Sequence, residues 1–230
     1  PDVRLITVSK PEELCASDRW SPDLGSPDAV IIPGSKNVIG DMKYLEKSGI
    51  GRRIIECAGA GTEVMGICAG FQVLGEEISD PYRIESREGE TVRGLCLLPI
   101  KNTIEKDKVL KRITARHISS DLEVTGYEIH HGMMAPEQIE QTRITPILTA
   151  ADGTVLGVAG KHVWGTYLHG IFDADGFRRW FVNSLRTKRG LPPIERAGVV
   201  FHIEPALDRL AEIVRENLDI EKMYRIMGIR

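Results

Sequence analysis

Val64-Met65-Gly66-Ile67-Cys68-Ala69-Gly70-Phe71-Gln72 is the stretch on which the reading of this chain turns. Glu63 to Ile67 is a short apolar run with the character of a buried strand, and Phe71, Leu74 and Ile78 follow at i, i+3 and i+7, which predicts a helix through Ile78. Between them stands a cysteine flanked by Gly66 and Gly70. Small residues on both sides permit the sharp strand-to-helix turn that lifts a nucleophile above the edge of a sheet. A thiol so placed sits at a helix N-terminus, where the positive end of the dipole favours thiolate. The same Gly-x-Cys-x-Gly also suits a packed core cysteine; the strand before it and the helix after it favour the nucleophile.

Outward from that turn, the first half of the chain alternates strands and helices. Val3 to Val8 is strand-like, and Asp28 to Ile32 is an apolar run that stops at Pro33-Gly34. Val38, Met42 and Leu45 recur at helical spacing, and a second helix is predicted from Ile50 to Cys57, ending at Gly59-Ala60-Gly61. Such alternation implies βαβ units and an α/β fold with a largely parallel sheet and flanking helices. From Thr91 to Tyr167 the pattern turns β-rich, with segments Val92 to Ile100, Val109 to Ile118, Leu122 to His130 and Ile144 to Tyr167, which predicts an antiparallel β extension. Asp152-Gly153 within the last segment suits a type I′ hairpin turn. Two amphipathic helices close the chain: Phe177, Trp180, Phe181 and Leu185 mark one, and Leu207, Leu210, Ala211, Val214 and Leu218 the other, with Gly190 to Pro193 between them. The predicted organisation is a catalytic α/β core over about residues 1–200 and a C-terminal helical element over about 204–230.

Composition bounds the function. At 230 residues, 42% hydrophobic and 27% charged, the chain can bury a core, which excludes disorder. Its 30 basic against 33 acidic residues lack the basic excess of a nucleic-acid binder, so no nucleic-acid partner is expected. Uninterrupted apolar runs such as Ala29 to Ile32 and Gly198 to Phe201 fall far short of the roughly 18 residues of a membrane span, so no membrane partner is expected. Cys15, Cys57, Cys68 and Cys96 are too scattered for a disulfide framework, and no secretory signal opens the chain, which predicts a cytoplasmic location. The chain opens at Pro1, which points to a piece of a longer polypeptide.

A thiolate acting on an acyl carbon needs a base, and the chain has six histidines: His117, His130, His131, His162, His169 and His202. His169 follows the apolar run Val163 to Leu168 and so lies just past a strand end, where an α/β sheet carries its catalytic loops. His130 and His131 are adjacent and face opposite sides of a strand, so one of them at most lines the site. No Cys-x-x-Cys or His-Glu-x-x-His is present, and no metal is expected. The loop Pro33-Gly34-Ser35-Lys36-Asn37 follows a strand without the Gly-x-x-x-x-Gly-Lys-Ser/Thr of a phosphate cradle. It reads either as an ordinary turn or as half of an oxyanion hole, with the N–H of Gly34 or Ser35 meeting that of Ala69. Asp173 and Asp175 suit the cap of the helix that follows. Arg178, Arg179, Arg186, Lys188 and Arg189 read as its solvated face.

Taken together, Pro-Gly-Ser-Lys-Asn at 33 to 37, Gly-Ile-Cys-Ala-Gly-Phe-Gln at 66 to 72, Gly-Tyr-Glu-Ile-His at 126 to 130 and Gly-Thr-Tyr-Leu-His-Gly at 165 to 170 resemble the triad-type (class I) glutamine amidotransferase domain. The wording is similar to its cobyric acid synthase branch, as is the closing segment from Leu207 to Tyr224. The resemblance implies a flavodoxin-like domain that hydrolyses glutamine and passes ammonia to an N-terminal ATP-dependent synthetase domain, which amidates carboxylates of a corrinoid, adenosylcobyrinic acid a,c-diamide, in vitamin B12 synthesis. It further implies that this fragment holds no cofactor and that ATP and Mg act in the synthetase domain. Carried onto this chain, Cys68 is the nucleophile that forms a γ-glutamyl thioester and His169 the acid and base. Gly34 and Ala69 form the backbone oxyanion hole, and Ser35, Gln72, Tyr127 and His130 are weaker candidates for the glutamine pocket. Many members of the wider family carry His-x-Glu, but Ile171 stands two residues after His169. The third triad member is therefore unnamed, with Asp173 a weak candidate. Competing readings are the glutaminase of a related a,c-diamide synthase, the amidotransferase of a cell-wall lipid precursor, a cysteine hydrolase of another acyl substrate, and a non-catalytic module with the same fold.

Overall fold

The computed structural model describes residues 27–134, 144–195 and 203–229; the expected strand at Val3 to Val8, together with Cys15 and His202, lies outside them. The chain divides into two compact units, Pro1–Ile194 and Glu195–Arg230.

The described residues of the first unit build a ten-stranded mixed sheet. Strand β1 (Ala29–Ile32) leads through α1 (Val38–Ser48) and α2 (Ile50–Gly59) to β2 (Glu63–Ile67), and β2 runs into α3 (Ala69–Val73). The Asn37 side chain caps α1 by accepting from the Gly40 N–H at 2.9 Å, and Gly49, at φ 80°, turns the chain from α1 into α2. Then come β3 (Glu77–Ser79), β4 (Thr91–Arg93), the long pair β5 (Lys101–His117) and β6 (Leu122–Met134), β7 (Thr145–Ala150), β8 (Val155–Ala159), β9 (Val163–Thr166), β10 (Leu168–His169), a 3-10 turn at Ile171–Asp173 and α4 (Asp175–Lys188). The sheet order is β1-β2-β9-β8-β7-β5-β3-β4, and β6 pairs with both β5 and β10.

The parallel part positions the site. β1 pairs parallel with β2, Ile32 beside Gly66, and β2 pairs parallel with β9, Ile67 beside Thr166. Three strand ends are thus level, and the segments leaving them carry Gly34, Cys68 and His169. Alternation along β2 sends Val64 into a core with Val38, Ile54 and Phe71, and Met65 into a second core with Trp164, Leu168 and Phe177. Both faces of this strand are dry, as a run between two helical layers requires.

The antiparallel extension is present, with differences from the sequence reading. The helix after Cys68 ends at Val73, and Ile78 lies in β3: a short helix and a strand face one core, and their combined spacing imitates a longer helix. Of Val92 to Ile100 only β4 is a strand. The rest is an irregular buried segment whose Leu95 and Cys96 N–H groups donate to the carbonyls of Val73 and Gly75 at 2.7 and 2.9 Å. At the β7–β8 turn only Gly153 of the Asp-Gly pair is left-handed, at φ 86°. The Ala150 N–H donates to Thr154 O at 2.9 Å, giving a three-residue loop where a two-residue type I′ turn was anticipated.

Ala174 is the N-cap of α4, without a side-chain cap bond, so neither Asp173 nor Asp175 caps it. Asp175 instead pairs with Arg178. The basic end of α4 is tied to the sheet, Lys188 to Glu63 at 2.5 Å and Arg189 to Asp28. The described residues of the second unit form two helices, α5 (Glu204–Asn217) and α6 (Ile220–Met227), one more than the periodicity showed. Asp219 caps α6 by accepting from the Lys222 N–H at 2.9 Å.

Candidate active site

Cys68 occupies the turn between β2 and α3 at φ 53° and ψ −110°, a conformation that costs a residue with a Cβ of order 1–3 kcal/mol. Its N–H donates to Thr166 O at 2.8 Å, which holds the strained turn against β9. The glycines have a steric reason: a Cβ on Gly66 would collide with the Gly70 carbonyl, and one on Gly70 with Ile32 O. The thiol is buried, faces the Ile129 carbonyl at 3.7 Å and receives the Ala69 N–H.

His169 reaches the same place from the other side. It lies on β10, where Leu168 and His169 pair with Glu128 and Tyr127 of β6. The Tyr127 ring stacks on the imidazole at 5.2 Å and an interplanar angle of 4°. Gly34 fits between His169 and Cys68: a Cβ built there would lie 2.7 Å from His169 Cε1 and 3.4 Å from Cys68 Cβ. The sequence-derived pair therefore converges on the Gly34 loop. His169 Nε2 is buried and has no hydrogen-bond partner among the described residues.

The electrostatics differ from the expected thiolate. Burial pushes the Cys68 thiol up to about 11; the Ala69 N–H and Lys108 pull the other way, and the charge of Glu85 adds to the rise. The five-residue α3 does not overcome desolvation. Burial, with the charge of His130, holds His169 below the ordinary imidazole value. At neutral pH the resting pair is thus thiol and neutral imidazole, an arrangement in which the imidazole can take the thiol proton.

The weaker candidates fall into two groups. Tyr127 and Gly34 touch His169, while Ser35 is exposed and hydrogen-bonds Asp41 at the start of α1. Gln72 and His130 lie underneath. Gln72 is buried against Gly132, and its carbonyl accepts from Asn102 Nδ2 at 3.3 Å. His130 is buried, bonds Glu128 at 3.1 Å and stacks on Tyr167 at 4.1 Å. Tyr167 closes this layer by donating to Asn102 Oδ1 at 2.9 Å. Burial pushes the Glu128 carboxyl up, but hydrogen bonds from His130 and Lys111 outweigh it and leave it below the usual carboxylate value. Asp173, on the 3-10 turn, packs beside Gly170. His131 faces away from His130 and meets Glu105 O at 3.0 Å.

Two charged neighbours of the site escaped the sequence reading. Glu128 was legible, because it stands two residues from His130 on one strand and shares its face. Glu85 and Lys108 were not: they belong to an irregular loop and a strand irregularity, and only the fold brings their charges to bear on Cys68. Among the described residues no group of three or more His, Cys, Asp or Glu is placed to hold a metal, and no helix is long and apolar enough to cross a membrane.

Residues 2–177 match the CobB/CobQ-like glutamine amidotransferase domain family. The chain belongs to that family. Among relatives of this amidotransferase domain, the adenosylcobalamin biosynthesis bifunctional protein CobDQ of Leptospira interrogans is 42% identical over 230 residues, which cover all of this chain and 25% of that protein. Cobyric acid synthase of Nitratidesulfovibrio vulgaris is 36% identical over all of this chain and 46% of its own length. The chain thus spans a quarter to a half of the curated relatives it matches. A solved structure titled as a glutamine amidotransferase shares the fold, with a TM-score of 0.50 and 14% identity over 70% of this chain and 79% of that one.

Proposed function

We propose that this chain is the glutamine-hydrolysing domain of a cobyric acid synthase. The observation that carries the reading is Cys68, on a strained turn, facing His169 across Gly34. Cys68 Sγ attacks the side-chain amide carbon of glutamine while its proton passes to His169. The tetrahedral oxyanion is met by the N–H groups of Gly34 and Ala69. Collapse breaks the carbon–nitrogen bond, and the imidazolium proton leaves with ammonia. A water deprotonated by His169 then attacks the thioester, releasing glutamate and the thiol.

Tyr127 and Ser35 border the pocket from the His169 and loop sides. Gln72 and His130 support it from beneath, and Glu85, whose charge is felt at Cys68, accepts the substrate ammonium. The histidine is held without a neighbouring Glu or a bonded Asp173: the Tyr127 face fixes its plane.

Ammonia released here serves an ATP- and Mg-dependent synthetase part of the longer protein, which amidates corrinoid carboxylates in a reducing cytoplasm. The relatives' names and the four matching motifs support that assignment, with residues 1–200 as the catalytic core and 204–230 as a helical appendage.

The test is mass spectrometry after exposure to a glutamine-mimicking diazo-ketone, with peptide mapping and a lane of excess glutamine. Adduct confined to Cys68 and suppressed by glutamine is the expected result. Labelling that glutamine does not suppress, in this chain and in the longer protein alike, overturns the reading.

A further inference from the structure

The β5–β6 ladder is regular from His117/Leu122 to Val109/His130 and resumes at Ile104/Gly132. In between, Glu105, Lys106, Asp107 and Lys108 stand opposite the single residue His131. Bulges beside active sites re-aim side chains, and this one adds charged residues where a plain ladder would alternate. It is held at both sides. His131 Nδ1 meets Glu105 O at 3.0 Å, and Lys106 Nζ lies over the Tyr82 ring at 4.9 Å.

Tyr82 belongs to the loop that presents Glu85. Asp80, fully buried, accepts the N–H groups of Ile84, Glu85 and Ser86 at 2.8, 2.9 and 2.7 Å and so fixes that loop. Glu85 Oε2 in turn accepts the Val38 N–H at 2.6 Å, next to the Gly34 loop. On the other side, Cys68 Sγ faces Ile129 O, and Ile129 pairs with Leu110, two residues from Lys108. Glu85 and Lys108, of opposite charge, thus belong to two elements that touch each other through Tyr82 and Lys106, one beside the Gly34 loop and the other beside the strand that Cys68 Sγ faces. Lys108 is exposed and makes no ion pair among the described residues.

We propose that Lys108 forms a carboxylate subsite that receives the α-carboxylate of the substrate amino acid, opposite Glu85. This rests on the glutamine-hydrolysis reading. An amino-acid amide carries its ammonium and carboxylate on one carbon, remote from the reacting amide. Charges of opposite sign on two walls fix its orientation and reject amides that lack either group. The opposing influences of Glu85 and Lys108 on the Cys68 thiol agree with both charges facing the site.

The experiment compares glutamine with its α-carboxamide, which keeps the reacting amide and the ammonium but loses the carboxylate charge. In Lys108→Met, KM for glutamine rises about tenfold or more with kcat little changed. KM for the carboxamide stays put, so the preference for glutamine shrinks by the same factor; Lys108→Arg retains it. A general disturbance of the thiol would slow both substrates alike, and a Lys108→Met protein that keeps the parent's preference overturns the subsite.

Should that variant not fold, the parent suffices. Its preference for glutamine must weaken as salt is raised to about 0.5 M, because an exposed cation is screened. A preference indifferent to salt overturns the proposal. If glutamine instead fails to suppress labelling of Cys68 in the parent, the functional reading itself falls and takes the subsite with it.

Discussion

His169 and His117 are both imidazoles that burial pushes below their ordinary pKa, and each has a buried Nε2 without a hydrogen-bond partner among the described residues. The surroundings of the two rings separate them. His117 is fully buried within an aromatic cage, 4.6 Å from Trp180, 5.0 Å from Phe177 and 6.3 Å from Trp164 by ring centroids. Its Nδ1 accepts the Ser120 N–H at 3.2 Å, which places the proton on Nε2, against carbon. His169 is half-buried, has one flat aromatic neighbour and stands across Gly34 from a thiol. The same desolvation serves packing in one place and leaves a neutral imidazole beside a thiol in the other.

The largest expected effect separates chemistry from packing at the reactive site. Cys68→Ala should lower glutamine turnover at least about 10⁴-fold while leaving the thermal midpoint within a few degrees of the parent. Cys68→Gly should be equally inactive yet more stable by about 1 kcal/mol, since glycine tolerates φ 53°. An active Cys68→Ala protein, measured by ammonia release, would break the assignment.

His169→Ala should cost about 10²- to 10⁴-fold in kcat, with the Cys68 adduct still forming slowly. In the parent, kcat/KM should fall on the acid side with a midpoint below 6.5, because the imidazole must be neutral to take the thiol proton and burial lowers its pKa. A midpoint above 6.5 would mean that the imidazole is charged more readily than its surroundings allow.

Gly34→Ala tests the closeness of the pair. Its new Cβ, 2.7 Å from His169 Cε1, must displace the ring, and a displacement of about 1 Å costs on the order of 10²-fold. Unchanged kinetics would show that the histidine has room to spare.

The caged histidine should act on stability alone. Its folded pKa is pushed down to about 4, below the unfolded value near 6.5, so the unfolded chain takes up the proton first as pH falls. Stability is full above 6.5 and declines towards pH 4 by up to about 3 kcal/mol. Urea midpoints across that range should flatten in His117→Phe, with turnover at pH 7.5 close to that of the parent. A slope that survives the substitution would move the titration elsewhere.

Much of this was legible in the sequence where local chemistry dictates local shape. Asp28 to Ile32 ending at Pro33-Gly34, and Gly66-Ile67-Cys68-Ala69-Gly70 between a strand and a helix, placed both loops and the cysteine at the turn. His169 was legible as a histidine just past a strand end. The span from Phe71 to Ile78 misled because burial leaves the same apolar mark whether a residue sits on α3 or on β3. Leu95, Leu98 and Ile100 are buried without being strand, since their neighbours' backbone groups bond to the turn after α3. Glu85 and Lys108 carry no periodicity: their place depends on a loop organised by Asp80 and on a bulge, both settled by tertiary contacts.

The close approach of Gly66 and Gly70 to backbone atoms bears on which sequences this turn can explore. At position 68 a small residue such as Ala or Gly fits the buried turn, whereas either flanking glycine would force Gly70 O or Ile32 O aside if it gained a single carbon. A survey of substitutions to small residues scored for folding alone should therefore show intolerance at 66 and 70 around a tolerant 68; scored for turnover, the gap closes. A lineage that abandoned catalysis would lose its cysteine long before its glycines, and the bare glycine frame would remain as the trace of a vanished nucleophile.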